Sequence, residues 1–366
     1  MGGLKETRSL RAGWALLLAL AAQGPGTALG QVQVPARPQN PVESLSVLSA
    51  ADMAEVAAAL RLKKDKGDQA WPGFGSAVIP VILYNEGYEF LLGEANPPDG
   101  WTAVETGEFE GRPYFRRAAG KPQAFAVRAG IRWAGSIGTL EMMSRKGPLK
   151  LSPDFYIAAV LHEMFHAFQA GSAPERFDRA LAAYKEEGRY PFKDKEFAEA
   201  WKDEGAALAG ALKAADDPEA VRRAQEFLTI RDARRVRAGL GPELLGYERE
   251  LEWLEGLAKY AEVYFEELII SPGDGASGRR PRPGFFPLTW DFARLANNLG
   301  GQEGDLRFYM SGMAQARLLD RFSPGWKEKS GVGRASLEDL LRAVVGPHVS
   351  VPLICLSPSA RRFLWI

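Results

Sequence analysis

Residues 160–166 of the chain read Val-Leu-His-Glu-Met-Phe-His. His162 and His166 stand four positions apart, so on an α-helix both imidazoles project from one face, one turn apart. This spacing lets two histidines bind one zinc ion at about 2.0–2.1 Å while the helix stays regular. Glu163, one position further on, can take a proton from a metal-activated water. The stretch therefore predicts His162 and His166 as metal ligands and Glu163 as the catalytic base.

The alternative is a helix whose histidines only pack or face solvent. Two of the three histidines of the chain fall in this window, and the preceding turn, Ala158–Leu161, is apolar. A helix with such a turn is expected to be buried, and a buried histidine pair needs a partner to offset its lost hydration. We therefore predict one zinc ion per chain.

The surrounding sequence predicts an α+β fold. Ser152-Pro153-Asp154 is a typical start of a helix, and Gly171 is a typical residue at the end of one. A helix is therefore predicted between them. Upstream, strand-like runs cover Val78–Tyr84, Tyr88–Leu92 and Phe125–Trp133, and a helix is predicted over Ser49–Lys64. Further helices are predicted over about 194–215, 217–239, 243–269, 306–319 and 336–345.

These elements divide the chain into a β-rich part followed by a mainly helical part. The predicted divisions are a signal peptide (1–30), a Pro-rich lead-in and helix (31–70), a β-rich subdomain (71–148), a helical zinc-binding subdomain (149–345) and a C-terminal tail (346–366).

The first thirty residues have the features of an export signal. Basic Lys5, Arg8 and Arg11 precede the apolar run Trp14–Ala22, and Ala28-Leu29-Gly30 offers small residues before a cleavage point. The apolar run is shorter than the roughly 20 residues of a membrane span, although an uncleaved anchor is the competing interpretation. We expect an exported protein, periplasmic or extracellular, with no stable membrane span after cleavage.

Charge and cysteine content narrow the function further. Lys+Arg and Asp+Glu number 46 each, so the formal net charge is zero and provides no attraction for nucleic acid. Nucleic acid is therefore not expected as a partner. Cys355 is the single cysteine, lies in an apolar run, and is expected to be a buried, unreactive thiol.

The segment 160–166 resembles the active-site helix of the zincin metallopeptidases. No glycine and third histidine follow this motif at the metzincin spacing, since the next residues are Ala167-Phe168-Gln169-Ala170-Gly171. The gluzincin arrangement, in which a later helix supplies a glutamate, is the closer match, because Glu255-Gly256-Leu257-Ala258-Lys259-Tyr260 resembles the segment that carries that ligand in several bacterial families. The resemblance implies a zincin-like fold and Glu255 as the third ligand, with small Gly256 and Ala258 allowing close approach to the HExxH helix.

Two points of the ligand set stay open. Glu204 lies in a similar small-residue context and is the other candidate for third ligand, or for an acid that orients a histidine. Many gluzincins place an aspartate four residues after the ligand glutamate, but this chain has Lys259 there. The other acids near Glu255 are expected on solvated faces; these are Glu248, Glu250, Glu252 and Glu262.

Several weaker candidates surround this centre. Tyr309, Tyr260 or His348 can supply the oxyanion donor that hydrolysis needs. The predicted strand Phe125–Trp133 is a candidate edge for substrate strand addition. The basic run 279–282 in the Gly- and Pro-rich segment 271–287 is expected to be solvated, with a lid as the alternative.

The sequence thus predicts an exported zinc peptidase that hydrolyses peptide or protein substrates. Two alternatives remain, since a metal centre does not by itself define a substrate. One is a zinc-bearing binding or scaffold protein with little turnover, and the other is a hydrolase of non-peptide amides or esters.

Overall fold

The computed structural model describes residues 45–146, 150–271, 282, 288–302, 304–332 and 335–346. The predicted signal peptide, Cys355 and His348 lie outside these residues. Within them the chain is a mixed α+β protein, in which a sheet precedes a mainly helical part.

Six strands form one sheet with the order β3-β4-β2-β1-β6-β5. They are β1 Val81–Tyr84, β2 Tyr88–Leu92, β3 Thr102–Phe109, β4 Arg112–Ala118, β5 Phe125–Ala129 and β6 Arg132–Gly138. The predicted runs Val78–Tyr84 and Tyr88–Leu92 contain strands β1 and β2, which form a hairpin. The Asn85 side chain holds its turn by accepting hydrogen bonds from the backbone N–H groups of Gly87 and Tyr88, at 2.9 Å each. Strand β1 also pairs in parallel with β6.

The predicted single strand Phe125–Trp133 is wrong. The chain reverses within it, so that β5 and β6 form an antiparallel hairpin and β5 lies at the edge of the sheet. The β3–β4 hairpin was not predicted. Its charged residues, such as Glu105, Glu108 and Arg117, obscure the alternation that marks a half-buried strand.

The helices in the described part of the chain follow the sequence predictions in most places. They are α1 Ala50–Ala70, α2 Leu140–Lys146, α3 Pro153–Ser172, α4 Pro174–Ala183, α5 Lys195–Lys213, α6 Asp217–Arg237, α7 Pro242–Leu251, α8 Leu257–Ile270, α9 Leu288–Asn297, α10 Leu306–Phe322, α11 Trp326–Val332 and α12 Leu337–Val345. A 3₁₀ turn covers Tyr184–Arg189. Helices α2, α4, α9 and α11 were not predicted.

The predicted helix over 243–269 is interrupted. Helix α7 ends at Leu251, a π-turn spans Glu252–Gly256, and α8 follows directly. A π-turn inserts an extra residue into the helical path and shifts the side chains that follow. The position of Glu255 is therefore set by this irregularity.

Helix α3 carries the HExxH segment and is buried between the sheet and α8. Ser152 caps the N-terminus of α3, because its side chain accepts a hydrogen bond from the backbone N–H of Asp154 at 3.2 Å. Strand β6 crosses α3 so closely that a methyl group on Gly135 would lie 2.7 Å from the backbone nitrogen of Met164. Only glycine fits at this crossing, which holds α3 against the sheet.

One large hydrophobic core joins α3 to the surrounding helices and to one face of the sheet. A smaller cluster covers the opposite face of the sheet; its members are Ile82, Leu91, Trp101, Ala129 and Ala134. None of the helices formed by the described residues combines the length and apolarity that crossing a membrane requires.

Candidate metal centre

Helix α3 directs its two motif histidines at each other. The Nε2 atoms of His162 and His166 lie 3.1 Å apart, and the two residues are 5% and 1% exposed. The ring of Phe125, from the edge strand β5, lies 4.6 Å from the His166 ring between centroids. The pair thus sits in the core, against the edge of the sheet.

Glu255 joins the histidines from the π-turn. Its Oε2 atom lies 3.2 Å from His166 Nε2, and one ligand atom from each of His162, His166 and Glu255 lies within 4.8 Å of the others. The structure therefore brings together the three residues that the sequence predicted as metal ligands.

Each histidine has a partner on its other ring nitrogen. Glu262 Oε2 lies 2.7 Å from His162 Nδ1, a close ion-pair contact without the geometry of a hydrogen bond, and Gln169 Oε1 is hydrogen-bonded to His166 Nδ1 at 3.0 Å. The orientation of the Gln169 amide is fixed, since its Nε2 donates to the carbonyls of Trp253 and Leu254 at 2.9 and 3.1 Å. Acceptors beside both Nδ1 atoms favour the tautomer with the proton on Nδ1, which leaves both Nε2 lone pairs directed into the centre.

This arrangement has the chemistry of a cation site. In that tautomer two Nε2 lone pairs and a carboxylate oxygen face one another, and such a set of acceptors is mutually repulsive unless a cation lies between them. A zinc ion bound tetrahedrally at about 2.0–2.1 Å holds two nitrogens about 3.3 Å apart. The observed 3.1 Å separation of the two Nε2 atoms is close to that value. The residues present therefore fit a zinc ion.

The charges of the candidate ligands also suit a metal. Burial lowers the pKa of His162 and so favours the neutral ring that binds metals. Although burial opposes ionisation of Glu255, the two histidines and Tyr309 lower its pKa to about 2. Glu255 is thus ionised, as a metal-binding carboxylate must be.

Two tyrosines hold the Glu255 carboxylate in place. The Tyr184 hydroxyl donates to Glu255 Oε1 at 2.7 Å and also lies 3.1 Å from Asp305 Oδ2. Tyr309 hydrogen-bonds Glu255, and its ring stacks on His162 at a centroid distance of 5.9 Å. Burial and the charge of Glu255 raise the pKa of Asp305 to about 7. The carboxylate is therefore fixed by donors on its outer side.

Glu163 lies beside the histidines on α3. Its Oε2 atom is buried and has no hydrogen-bond partner among the described residues. Burial, followed by the negative charges of Glu255 and Glu262, raises the pKa of Glu163 well above its usual range. A raised pKa is what a glutamate needs to accept and return a proton near neutral pH.

Glu204 lies away from this centre. It is fully buried and contacts two arginines of α6, with Arg231 Nε 2.9 Å from its Oε2 and Arg234 Nε bonded to its Oε1. These guanidinium groups occupy both carboxylate oxygens. Glu204 therefore neither contacts the histidines nor orients them, and its assignment as an alternative ligand is wrong in this structure.

The expectation that the neighbouring acids face solvent is wrong for Glu248, Glu252 and Glu262, which are at most 3% exposed. Glu248 and Glu252 pair with Arg234 and Arg231, at 2.6 Å each. Glu262 contacts His162, so it is the second carboxylate of the centre. Glu250 is half-buried.

The orienting groups had only weak sequence signals. Glu262 follows Glu255 by seven positions, two helical turns, and Gln169 follows His166 by three, so both lie on the same helix faces as the ligands. Tyr184 lies in the 3₁₀ turn, far from the motif in sequence, and no pattern pointed to it.

Of the two predicted oxyanion donors that the structure describes, Tyr309 lies at the centre and Tyr260 does not. Tyr260 points elsewhere, because its hydroxyl donates to Asp320 Oδ2 at 2.6 Å. His348 lies outside the described residues.

Two further expectations need correction. Gly256 does not bring its helix to α3, since a methyl group there would meet the Gly312 Cα of α10 at 2.5 Å.

In the basic run 279–282, Arg282 is not free in solvent, because it contacts Glu55 at 2.6 Å and Asp154 at 2.7 Å, at the start of α3. The other residues of that run lie outside the described part of the chain.

Comparison with known proteins adds no family to this picture. A scan against protein-family models, a search of curated proteins and a search of solved structures each found no match to the chain.

Proposed function

We propose that the chain is an exported, zincin-like zinc peptidase with His162, His166 and Glu255 as the metal ligands. The observation that carries the proposal is the convergence of His162 Nε2, His166 Nε2 and Glu255 Oε2, with orienting partners behind both rings. A histidine pair that only packed would be expected to share a hydrogen bond, with a proton on one Nε2 atom that it donates to the other. Here both Nδ1 atoms have acceptors, and a cation accounts for the two facing lone pairs.

The roles of the protein groups follow from their positions. A bound zinc ion supplies the Lewis acidity that activates water and polarises a carbonyl at neutral pH. Glu163, beside the ligands and with a raised pKa, takes the proton of the attacking water and returns it to the leaving amine. Tyr309, stacked on His162, is the proposed hydroxyl donor for the oxyanion.

Strand β5 is the proposed support for an extended substrate. It forms the edge of the sheet, and its Phe125 contacts the ring of His166. An edge strand offers unpaired backbone groups to which a peptide can add as a further strand. Such a peptide would run past the proposed metal ligands, which favours peptides over compact small molecules as substrates.

The test combines metal content with proteolysis. The purified mature chain should contain about one zinc per molecule and should degrade a fluorescently labelled, unfolded casein. Removal of zinc with a chelator should stop the cleavage, and addition of zinc should restore it. Glu163→Gln, with unchanged zinc content, serves as the matched inactive control.

The outcomes separate the three candidate functions. A folded chain that binds no zinc would refute the metal centre itself. Stoichiometric zinc without cleavage of casein or of a library of extended peptides would refute the peptidase and leave the binding role. Turnover of amide or ester reporters in that case would indicate the non-peptide hydrolase.

A further inference from the structure

Behind the proposed centre lies a buried lysine. Lys259, on the first turn of α8, is 2% exposed, and its Nζ atom lies 2.5 Å from Glu262 Oε1 and 2.5 Å from Asp291 Oδ2. Many gluzincins, the family that the motif resembles, have an aspartate at this position. A fully buried ammonium group is costly unless anions surround it, and here two carboxylates do.

Glu262 uses its two oxygens on opposite sides. Its Oε1 atom contacts the Lys259 ammonium, while Oε2 lies 2.7 Å from His162 Nδ1. The groups therefore form a continuous chain, Asp291–Lys259–Glu262–His162. A carboxylate held by an ammonium at one oxygen has little freedom to rotate the other away from the histidine.

The lysine also fills a place that a second metal would otherwise take. Glu262, Glu266 and Asp291 offer carboxylate oxygens within 4.8 Å of one another, which by distance alone is a candidate cation site. The Lys259 ammonium contacts two of these three acids. Burial raises the pKa of Glu266, the third acid, well above its usual range and so favours its neutral form. The cation of this cluster is thus supplied by the chain itself.

We propose that Lys259, anchored by Asp291, is a positioning residue that holds Glu262 against His162 and thereby sets the zinc affinity of the site. This inference rests on the proposed zinc site. Partners of metal-binding histidines typically contribute about 10–100-fold to metal affinity. Lys259 acts one contact further out, through Glu262, on the orientation and tautomer of the His162 ring.

The first experiment examines the metal-free protein. With only three histidines in the chain, nitrogen-15 NMR of the imidazoles resolves each ring and reports its tautomer. In the parent chain His162 should carry its proton on Nδ1. Lys259→Met, which keeps the length of the side chain but not its charge, should lower that population, and Lys202→Met, at an exposed lysine of α5, should not.

The second experiment measures zinc affinity in a double-mutant cycle. Lys259→Met alone should weaken zinc binding about 10-fold or more, and Glu262→Gln should do the same. If Lys259 acts through Glu262, adding Lys259→Met to Glu262→Gln should cause little further loss. Equal losses in both backgrounds would overturn the proposal, because they would indicate a role in general packing.

The two proposals fail in different ways. Absence of zinc binding in the parent chain would refute the metal site, but the tautomer of His162 in the metal-free protein would still test whether Lys259 positions that ring. An unchanged His162 tautomer in Lys259→Met would refute the positioning role even if zinc binds. Should Lys259→Met fail to fold, Asp291→Asn tests the same chain of contacts, with an expected partial shift in tautomer and affinity.

Discussion

Gly256 and Gly312 lie in direct backbone contact where the π-turn crosses α10. A methyl group on Gly256 would come within 2.5 Å of the Gly312 Cα and 2.9 Å of its carbonyl carbon. The contact immediately follows Glu255, so it defines how closely the π-turn can approach α10. Tyr309, which hydrogen-bonds Glu255, lies on the preceding turn of α10. The position of the proposed third ligand thus depends on two glycines that are not themselves in the proposed ligand set.

Substitution of Gly312 by alanine should disturb this crossing. Alanine is the better helix former by about 1 kcal/mol, but its methyl group would meet the Gly256 Cα at 2.7 Å. We expect a net loss of about 1–3 kcal/mol in the free energy of unfolding, as for other overpacked cores, together with weaker zinc binding. Urea unfolding of the metal-free protein and a zinc competition titration measure the two effects.

Gly246→Ala is the matched control for that prediction. Gly246 lies inside α7, and no atom within 4 Å opposes a methyl group at that position. The variant should be as stable as the parent chain or slightly more stable, with unchanged zinc affinity. A similar loss in both variants would indicate that the close glycine contact is irrelevant.

Glu163→Gln separates catalysis from metal binding. Glutamine keeps the shape of the side chain but cannot accept a proton, so kcat should fall at least about 100-fold while zinc content stays the same. Mass spectrometry for zinc and cleavage of labelled casein are the measurements. Retained activity would exclude Glu163 as the base, whereas lost zinc would make it a ligand.

Glu255→Gln should mainly weaken zinc binding, whereas Glu204→Gln should mainly lower the stability of the chain. The first removes a proposed ligand and should lower zinc affinity by more than about 100-fold, beyond the effect of an orienting partner. The second leaves Arg231 and Arg234 short of a buried partner and should destabilise the metal-free chain by about 3–5 kcal/mol. If Glu204→Gln, still folded, is the variant that loses zinc, the ligand assignment is wrong.

The sequence was informative where the signal is local. Ser152, Pro153 and Asp154 predicted the start of α3 correctly, and the i, i+4 spacing put His162 and His166 on one face. Both depend only on residues within a turn or two of each other, where helix geometry determines which side chains meet.

Contacts between distant segments were not predictable in the same way. Glu248 and Glu252 appeared to be surface acids, because nothing near them in sequence shows that Arg231 and Arg234 lie beside them in the fold. The π-turn that orients Glu255 was equally hidden, since the apolar pattern of 243–269 fits one regular helix. Buried ion pairs and helix irregularities arise from packing, which a single-sequence pattern does not encode.

The tyrosines of the centre should differ in their effects. Tyr309→Phe removes the proposed oxyanion donor and should lower kcat by about 100-fold or more, with a smaller effect on zinc. Tyr184→Phe removes the 2.7 Å donor to Glu255 and should mainly weaken zinc binding, by about 10-fold. Tyr260→Phe, which loses a contact with Asp320 away from the metal ligands, is the control and should change neither quantity at a permissive temperature. A Tyr309→Phe enzyme with normal kcat would remove that residue from the mechanism.

Acid should destabilise the metal-free chain through Glu338. Burial opposes ionisation of this residue, but Arg231, Arg235 and Arg249 lower its pKa to about 2. In the unfolded chain a glutamate titrates near a pKa of about 4.3, so the unfolded state binds a proton first as the pH falls. The stabilisation from Glu338 is therefore complete above about pH 4.3 and is lost between about pH 4.3 and about pH 2.

The size of this effect is on the order of 2–3 kcal/mol, because one pKa unit corresponds to about 1.4 kcal/mol. Glu338→Gln should lower stability at neutral pH and flatten the dependence of unfolding free energy on pH in that window. Glu243→Gln, at an exposed acid of α7, should keep the slope of the parent chain. Urea unfolding at several pH values, with chelator present to exclude metal release, measures the slope. Parallel curves for Glu338→Gln and the parent chain would mean that the arginines do not stabilise the ionised carboxylate.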